Sequence, residues 1–195
     1  MYKSNNKLAN FMNGFTAAVE LSQRAGESGF FIEFICLTAS IIDGFLRIGL
    51  ILRHQLEAKT SEILDCLLYQ DKKDKIVTER KIYRMSLEKS IISQELFDKL
   101  NELYHKRNKV VHRYIISDIS TKEALDIGIE YEKIKFIVGD SIRNLENEQI
   151  EKGVGMVVLD NGTPDADLKR ILDKMSAEKH GDDKLNKELK NRKNL

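Results

Sequence analysis

Between Phe30 and Leu52 the chain passes through its most apolar stretch, in which the only charged residues are Glu33, Asp43 and Arg47. A charge at the centre of a membrane helix costs roughly 2.5 to 3.5 kcal/mol on insertion scales, so a membrane span is a poor solution for this segment. A helix that is apolar on most sides also suits the middle of a bundle, where several neighbours cover it. The reading therefore places a buried central helix from Phe30 to about Glu57 and expects no membrane partner.

Periodicity builds an all-α domain around that helix. Leu8, Phe11, Met12, Phe15 and Val19 share one face of a first helix, expected over about Lys7 to Arg24 with Gly26 just past its end. A shorter helix is expected over Ser61 to Gln70, and another piece over Glu79 to Met85. Leu96, Leu100, Leu103, Arg107, Val110 and Tyr114 follow at steps of four and three, a helical stripe that starts near Gln94. Ser120-Thr121-Lys122-Glu123 reads as a capping box opening a last long helix, which ends at Lys152 before Gly153. Val154 to Leu159 reads as a loop or short strand, and Thr163-Pro164 as a helix restart, with threonine as cap and proline in the first turn. The domain thus spans 1–152. Residues 153–195 form a polar, partly helical extension, frayed beyond Gly181 or held by a partner.

One proline and no tryptophan in 195 residues favour helices, and 42% hydrophobic residues suffice for a core. Cys36 and Cys66 sit in apolar surroundings and are expected as buried thiols; no Cys/His cluster has metal-ligand spacing, so no metal or other cofactor is expected. Residues 1–6 lead into an amphipathic segment without the apolar run of a secretory signal, which points to a cytoplasmic protein.

The net charge of +1 excludes a globally basic nucleic-acid binder. Its distribution is uneven. Residues 71–114 carry 12 basic and 7 acidic groups, net +5, whereas residues 115–164 carry 5 and 10, net −5. From Tyr104 to Tyr114 there are four cations, Lys106, Arg107, Lys109 and Arg113, two histidines and no acid. Such a run suits an anion site and equally a solvated face balanced by the acidic last helix. Arg107 stands out because it lies on the apolar stripe, where an unpaired charge is not tolerated. It has either an anionic partner in the chain, such as Asp43 on the central helix, or an anionic ligand at an interface.

Arg107-Asn108-x3-His112 resembles the Arg-[polar]-x3-His signature of the HEPN superfamily of small helical domains. With Tyr114 it is similar to the Arg-x4-His-x-Tyr motif of HEPN ribonuclease toxins, whose antitoxin is a minimal nucleotidyltransferase. Asp43-x3-Arg47 is similar to the acid-x3-basic pair that many HEPN domains place upstream as a supporting pair. The resemblance covers about residues 5 to 150. It implies a four- to five-helix bundle and a homodimer in which two copies of the motif face each other. It also implies metal-independent cleavage of single-stranded RNA, in a toxin or antiviral effector under the control of an antitoxin or other regulatory protein. Positions five apart on a helix differ by about 140°, so Arg107 and His112 reach one phosphate only across two copies or where the helix loosens after Val110.

In such a site His112, of a residue type with a reference pKa of about 6.5, serves as acid or base, and Arg107 stabilises the phosphorane charge. Asn108 orients the histidine or the ribose. Lys109 and Arg113 follow the RNA backbone, and Tyr104 stacks on an unpaired base. The resemblance makes Tyr114 a site of modification by AMP, while its place on the stripe makes it a core-closing residue with its hydroxyl at the rim. A HEPN module without nuclease activity, binding nucleotides or a protein, is the alternative, and a helical adaptor acting through the extension a third reading.

Overall fold

The structure, a computed structural model, describes residues 2–68, 74–155 and 165–180, with side chains from residues 7–68, 74–155 and 169–177. Among these residues the protein is all-α, with six helices and no strand. They are α1 (Tyr2–Glu27), α2 (Phe31–Ala58), α3 (Glu79–Glu88), α4 (Gln94–Arg113), α5 (Thr121–Lys152) and α6 (Asp165–His180).

The apolar stretch becomes α2, and α1, α3, α4 and α5 pack around it. By length and composition alone α2 could cross a membrane, yet 67% of its most apolar window is buried within the bundle. Ile35, Ala39, Ile42, Leu46 and Leu50 form its inner seam, and Tyr131, Ile134, Val138, Ile142 and Leu145 of α5 belong to the same buried cluster. Contacts of Phe34 with Gly128, Phe45 with Gly139 and Ile142 with Gly49 advance together along both helices, so α2 and α5 run parallel. Gln149 fixes their register, donating to the Leu52 carbonyl (3.2 Å) and to Gln55 Oε1 (2.8 Å). α1 returns along α2 as a hairpin, with Ser22 and Thr38 sharing a buried hydrogen bond (3.0 Å). Gly44 permits this approach, because a Cβ there would lie 2.7 Å from the Phe15 ring.

α1 is longer than expected. It continues through Gly26 to Glu27, and the chain turns at Ser28–Gly29 instead. Val19, expected on the inner face, is exposed, and the small residues Ala17, Ser22 and Ala25 are buried. The extension does supply a helix: α6 lies along α1, where Ser176 is buried and donates to the Glu20 carboxylate. Residues 156–164 and those after His180, with the loop, cap and fraying expected of them, lie outside the described residues.

The helix expected over Ser61 to Gln70 is replaced by a single 3-10 turn, Asp65–Leu67, with Tyr69 and Gln70 outside the described residues. Side chains of α2 instead hold the segment to its observed course by binding its backbone carbonyls. Gln55 donates to the Glu62 carbonyl (3.0 Å). Arg47 donates to the carbonyls of Leu67 (3.0 Å) and Val77 (2.8 Å) and through Nε to Asp43 Oδ2 (2.6 Å). The loop is thus fastened onto the central helix by one buried guanidinium. Cys66, expected to be buried, is exposed on this turn, and Cys36 is only half-buried; burial still pushes the Cys36 thiol up.

Arg47→Met should lower the unfolding free energy by about 3 kcal/mol, because it leaves Asp43 and two carbonyls without their donor. Arg143→Met, which breaks an exposed pair with Asp140, should change it by less than about 1 kcal/mol. Urea denaturation of both variants checks the contrast.

Candidate functional site

α4 begins where Ser93 Oγ accepts from the Leu96 amide (3.2 Å), and its buried positions Leu96, Leu100, Leu103 and Val110 match the expected stripe. Arg107 interrupts that stripe with a side chain only 16% exposed. Its partner is Glu79 at the start of α3, not Asp43, whose Oδ2 accepts from Arg47 (2.6 Å). Nη1 of Arg107 donates to both Glu79 oxygens, at 2.9 and 2.8 Å. Nη2 reaches Asn108 Oδ1 at 3.3 Å, and the guanidinium carbon lies 4.8 Å from the Tyr104 ring centroid.

A second layer surrounds the pair. The buried Tyr83 hydroxyl also donates to Glu79 Oε1, and Arg80 approaches the Tyr104 ring at 5.8 Å. Burial opposes the charge on Arg107, but Glu79 outweighs it and holds the guanidinium above its ordinary pKa. The same two influences act on Tyr83, where burial first and the Glu79 charge second push the phenol well up. Tyr131 is buried with a hydroxyl unpartnered among the described residues, and burial raises its pKa against the pull of Arg107. Asp43 is also raised by burial, with Arg47 drawing it back.

The histidine of the motif faces water. α4 stays helical through Arg113, so no loosening after Val110 turns His112 toward Arg107. His112 is exposed, and no hydrogen bond or ion pair engages it among the described residues. Arg107 and Asn108 are brought together; His112 is not joined to them within the chain. Lys109 is exposed and lies 3.4 Å from Asp118, while Arg113 is exposed without an acid partner among the described residues. Lys106 is neutralised by Glu102 (2.7 Å) and Glu130 (3.0 Å). Tyr114 packs its ring against the core and its hydroxyl meets Thr121 Oγ1 (3.1 Å), as a core-closing residue does. It also edges a groove of about 480 Å³ with Phe30, Ile32 and Glu33. Asp43 and Arg47 do form their pair, which the Leu67 and Val77 carbonyls turn into a clamp for the loop.

Glu79, Tyr83 and Arg80 were not singled out from the sequence. A signal was there: Glu79-x3-Tyr83 places an acid and a phenol on one helix face, and α4 carried an arginine that needed an acid. Among the described residues, no three His, Cys, Asp or Glu side chains are grouped as metal ligands.

Removing one partner of so enclosed a pair exposes the other to the full desolvation penalty. Glu79→Ala and Arg107→Met should each cost about 3 kcal/mol. The double variant should fall short of their sum by roughly 2 kcal/mol, a coupling measurable by a double-mutant cycle in urea.

Comparison of the chain with protein-family models, curated protein sequences and solved structures finds no match in any of the three.

Proposed function

We propose that the chain is a HEPN-type, metal-independent endoribonuclease that cleaves single-stranded RNA at a site completed by two copies, acting as a cytoplasmic toxin or antiviral effector. The observation that carries this reading is the division within one helix turn and a half: Arg107 and Asn108 are anchored and half-buried, whereas His112 is exposed and unengaged among the described residues. An anchored cation and a free imidazole are what phosphodiester transesterification requires. One histidine takes the proton of a ribose 2′-hydroxyl, the 2′-oxygen bonds to phosphorus, and the 5′-oxygen leaves with a proton from the second copy's histidine. The products are a 2′,3′-cyclic phosphate and a 5′-hydroxyl. Arg107 faces the added negative charge with the donors that Glu79 leaves free, and Asn108 orients the ribose or the imidazole.

The straight course of α4 supports the need for a second copy, because in one chain the two side chains diverge. An isologous two-fold contact supplies two of each group. The contact of Glu79 with Arg107 favours the second reading, a HEPN module that binds nucleotides or a protein without cleaving, since the arginine is already neutralised. In either reading Tyr114 is a position at which a regulatory partner could act, its hydroxyl at the protein rim.

Labelled RNA incubated in EDTA with the purified chain separates the two. Wild type should cut and leave cyclic phosphate ends. His112→Ala, at an exposed position, should keep its fold and lose about a hundredfold or more in rate. Arg107→Lys keeps the charge beside Glu79 but not the planar fork, and should lose a similar factor. Equal behaviour of all three folded proteins would refute the nuclease reading.

A further inference from the structure

The positive charge of the middle segment is not free where the sequence concentrates it. On α4, Lys99 and Lys106 contact Glu102 and Glu130, Arg107 contacts Glu79, and Lys109 contacts Asp118. Among the described residues only Arg113, at the end of that helix, is left without an acid. On α3 the reverse holds. Its first acid, Glu79, is turned inward to Arg107, and Arg80, Lys81 and Arg84 are exposed with no ion pair among the described residues.

Arg80 and Arg84 are four residues apart and so share one face, with Cβ atoms separated by about 6 Å. Arg80 lies 5.8 Å from the Tyr104 ring, and Arg107 lies 4.8 Å from the same ring. The ring is therefore shared by the free guanidinium of Arg80 and the anchored one of Arg107. A line runs from the motif across Tyr104 to Arg80 and then one turn along α3 to Arg84.

We infer that α3 carries the polynucleotide track: Arg80 and Arg84 bind successive phosphates of a single RNA strand and lead it to Arg107. This rests on the ribonuclease reading for the ligand, while the track is defined by α3 and not by the lysines of α4. Two arginines one helical turn apart match the separation of neighbouring phosphates on one strand. Being uncompensated, they bind without first giving up an acid, whereas Lys106 and Lys109 must exchange a carboxylate for the phosphate. Lys109, expected from the sequence to follow the backbone, thereby becomes a minor contact, and Tyr104 aligns arginines as well as facing a base.

Binding can be measured apart from cleavage, with a fluorescent single-stranded RNA and the intact His112→Ala chain over a salt series. Adding Arg80→Ala and Arg84→Ala should weaken binding on the order of tenfold at low salt. It should also flatten the slope of log K against log salt by about 1.4, the value for two phosphate contacts on a single strand. Adding Lys106→Ala and Lys109→Ala should shift either quantity far less. Both arginines are exposed, so the variants should keep wild-type helicity. An unchanged affinity and slope in the α3 variant, or a larger loss in the α4 variant, overturns the track. No RNA binding by the His112→Ala chain at low salt overturns it as well. RNA bound through α3 by a wild type that does not cut would instead refute the cleavage reading and leave the track standing.

Discussion

The contact between Glu79 and Arg107 organises everything around it. An arginine on the inner stripe of α4 cannot stay there alone, because removing a guanidinium from water without a counter-charge costs several kcal/mol. Glu79 answers that need from α3, with both oxygens on one guanidinium nitrogen. The pairing draws the start of α3 onto α4, gives the buried Tyr83 hydroxyl an acceptor, and lays the guanidinium against Tyr104. It also decides which charges face water, since the acid it removes from the surface of α3 leaves Arg80 and Arg84 uncompensated among the described residues.

Arg47 plays a comparable part on α2. It is 8% exposed, yet its three hydrogen bonds go to Asp43 and to two loop carbonyls, so it holds the segment leading into α3. The two arginines thus form a series, one positioning the approach to α3 and the other its first residue. What they leave outside is the C-terminal end of α4, where His112 and Arg113 meet solvent, and the turn after it, where Ile115 and Ile116 are 94% and 79% exposed. In the proposed function that exposed end meets its counterpart on a second copy.

The sequence made the bundle legible wherever burial was periodic. The central helix, the stripe from Leu96 to Val110 and the box at Ser120–Glu123 all fall within a residue or so of their expected places. It failed where side chains rather than periodicity set the backbone. Ser61 to Leu68 has the composition of a helix, but its backbone is fastened to Arg47 and Gln55, which lie on a different element. The site was half legible for the same reason. An arginine on an apolar stripe announces that a partner exists, and nothing local says whether it is Asp43, which already had Arg47, or Glu79. Likewise, counting charges placed the basic surface on α4, while ion pairs to Glu102, Glu130 and Asp118 shift the free charge to α3.

The central claim is that Arg107 and His112 act together only when two copies meet. It is tested most directly by the RNA cleavage rate per chain over a dilution series, with the mass of the species followed in parallel. The account requires the specific rate to fall with the dimer fraction and to return when two chains are tethered. A chain that cuts at its full rate as a monomer, or a dimer that does not cut, would contradict it.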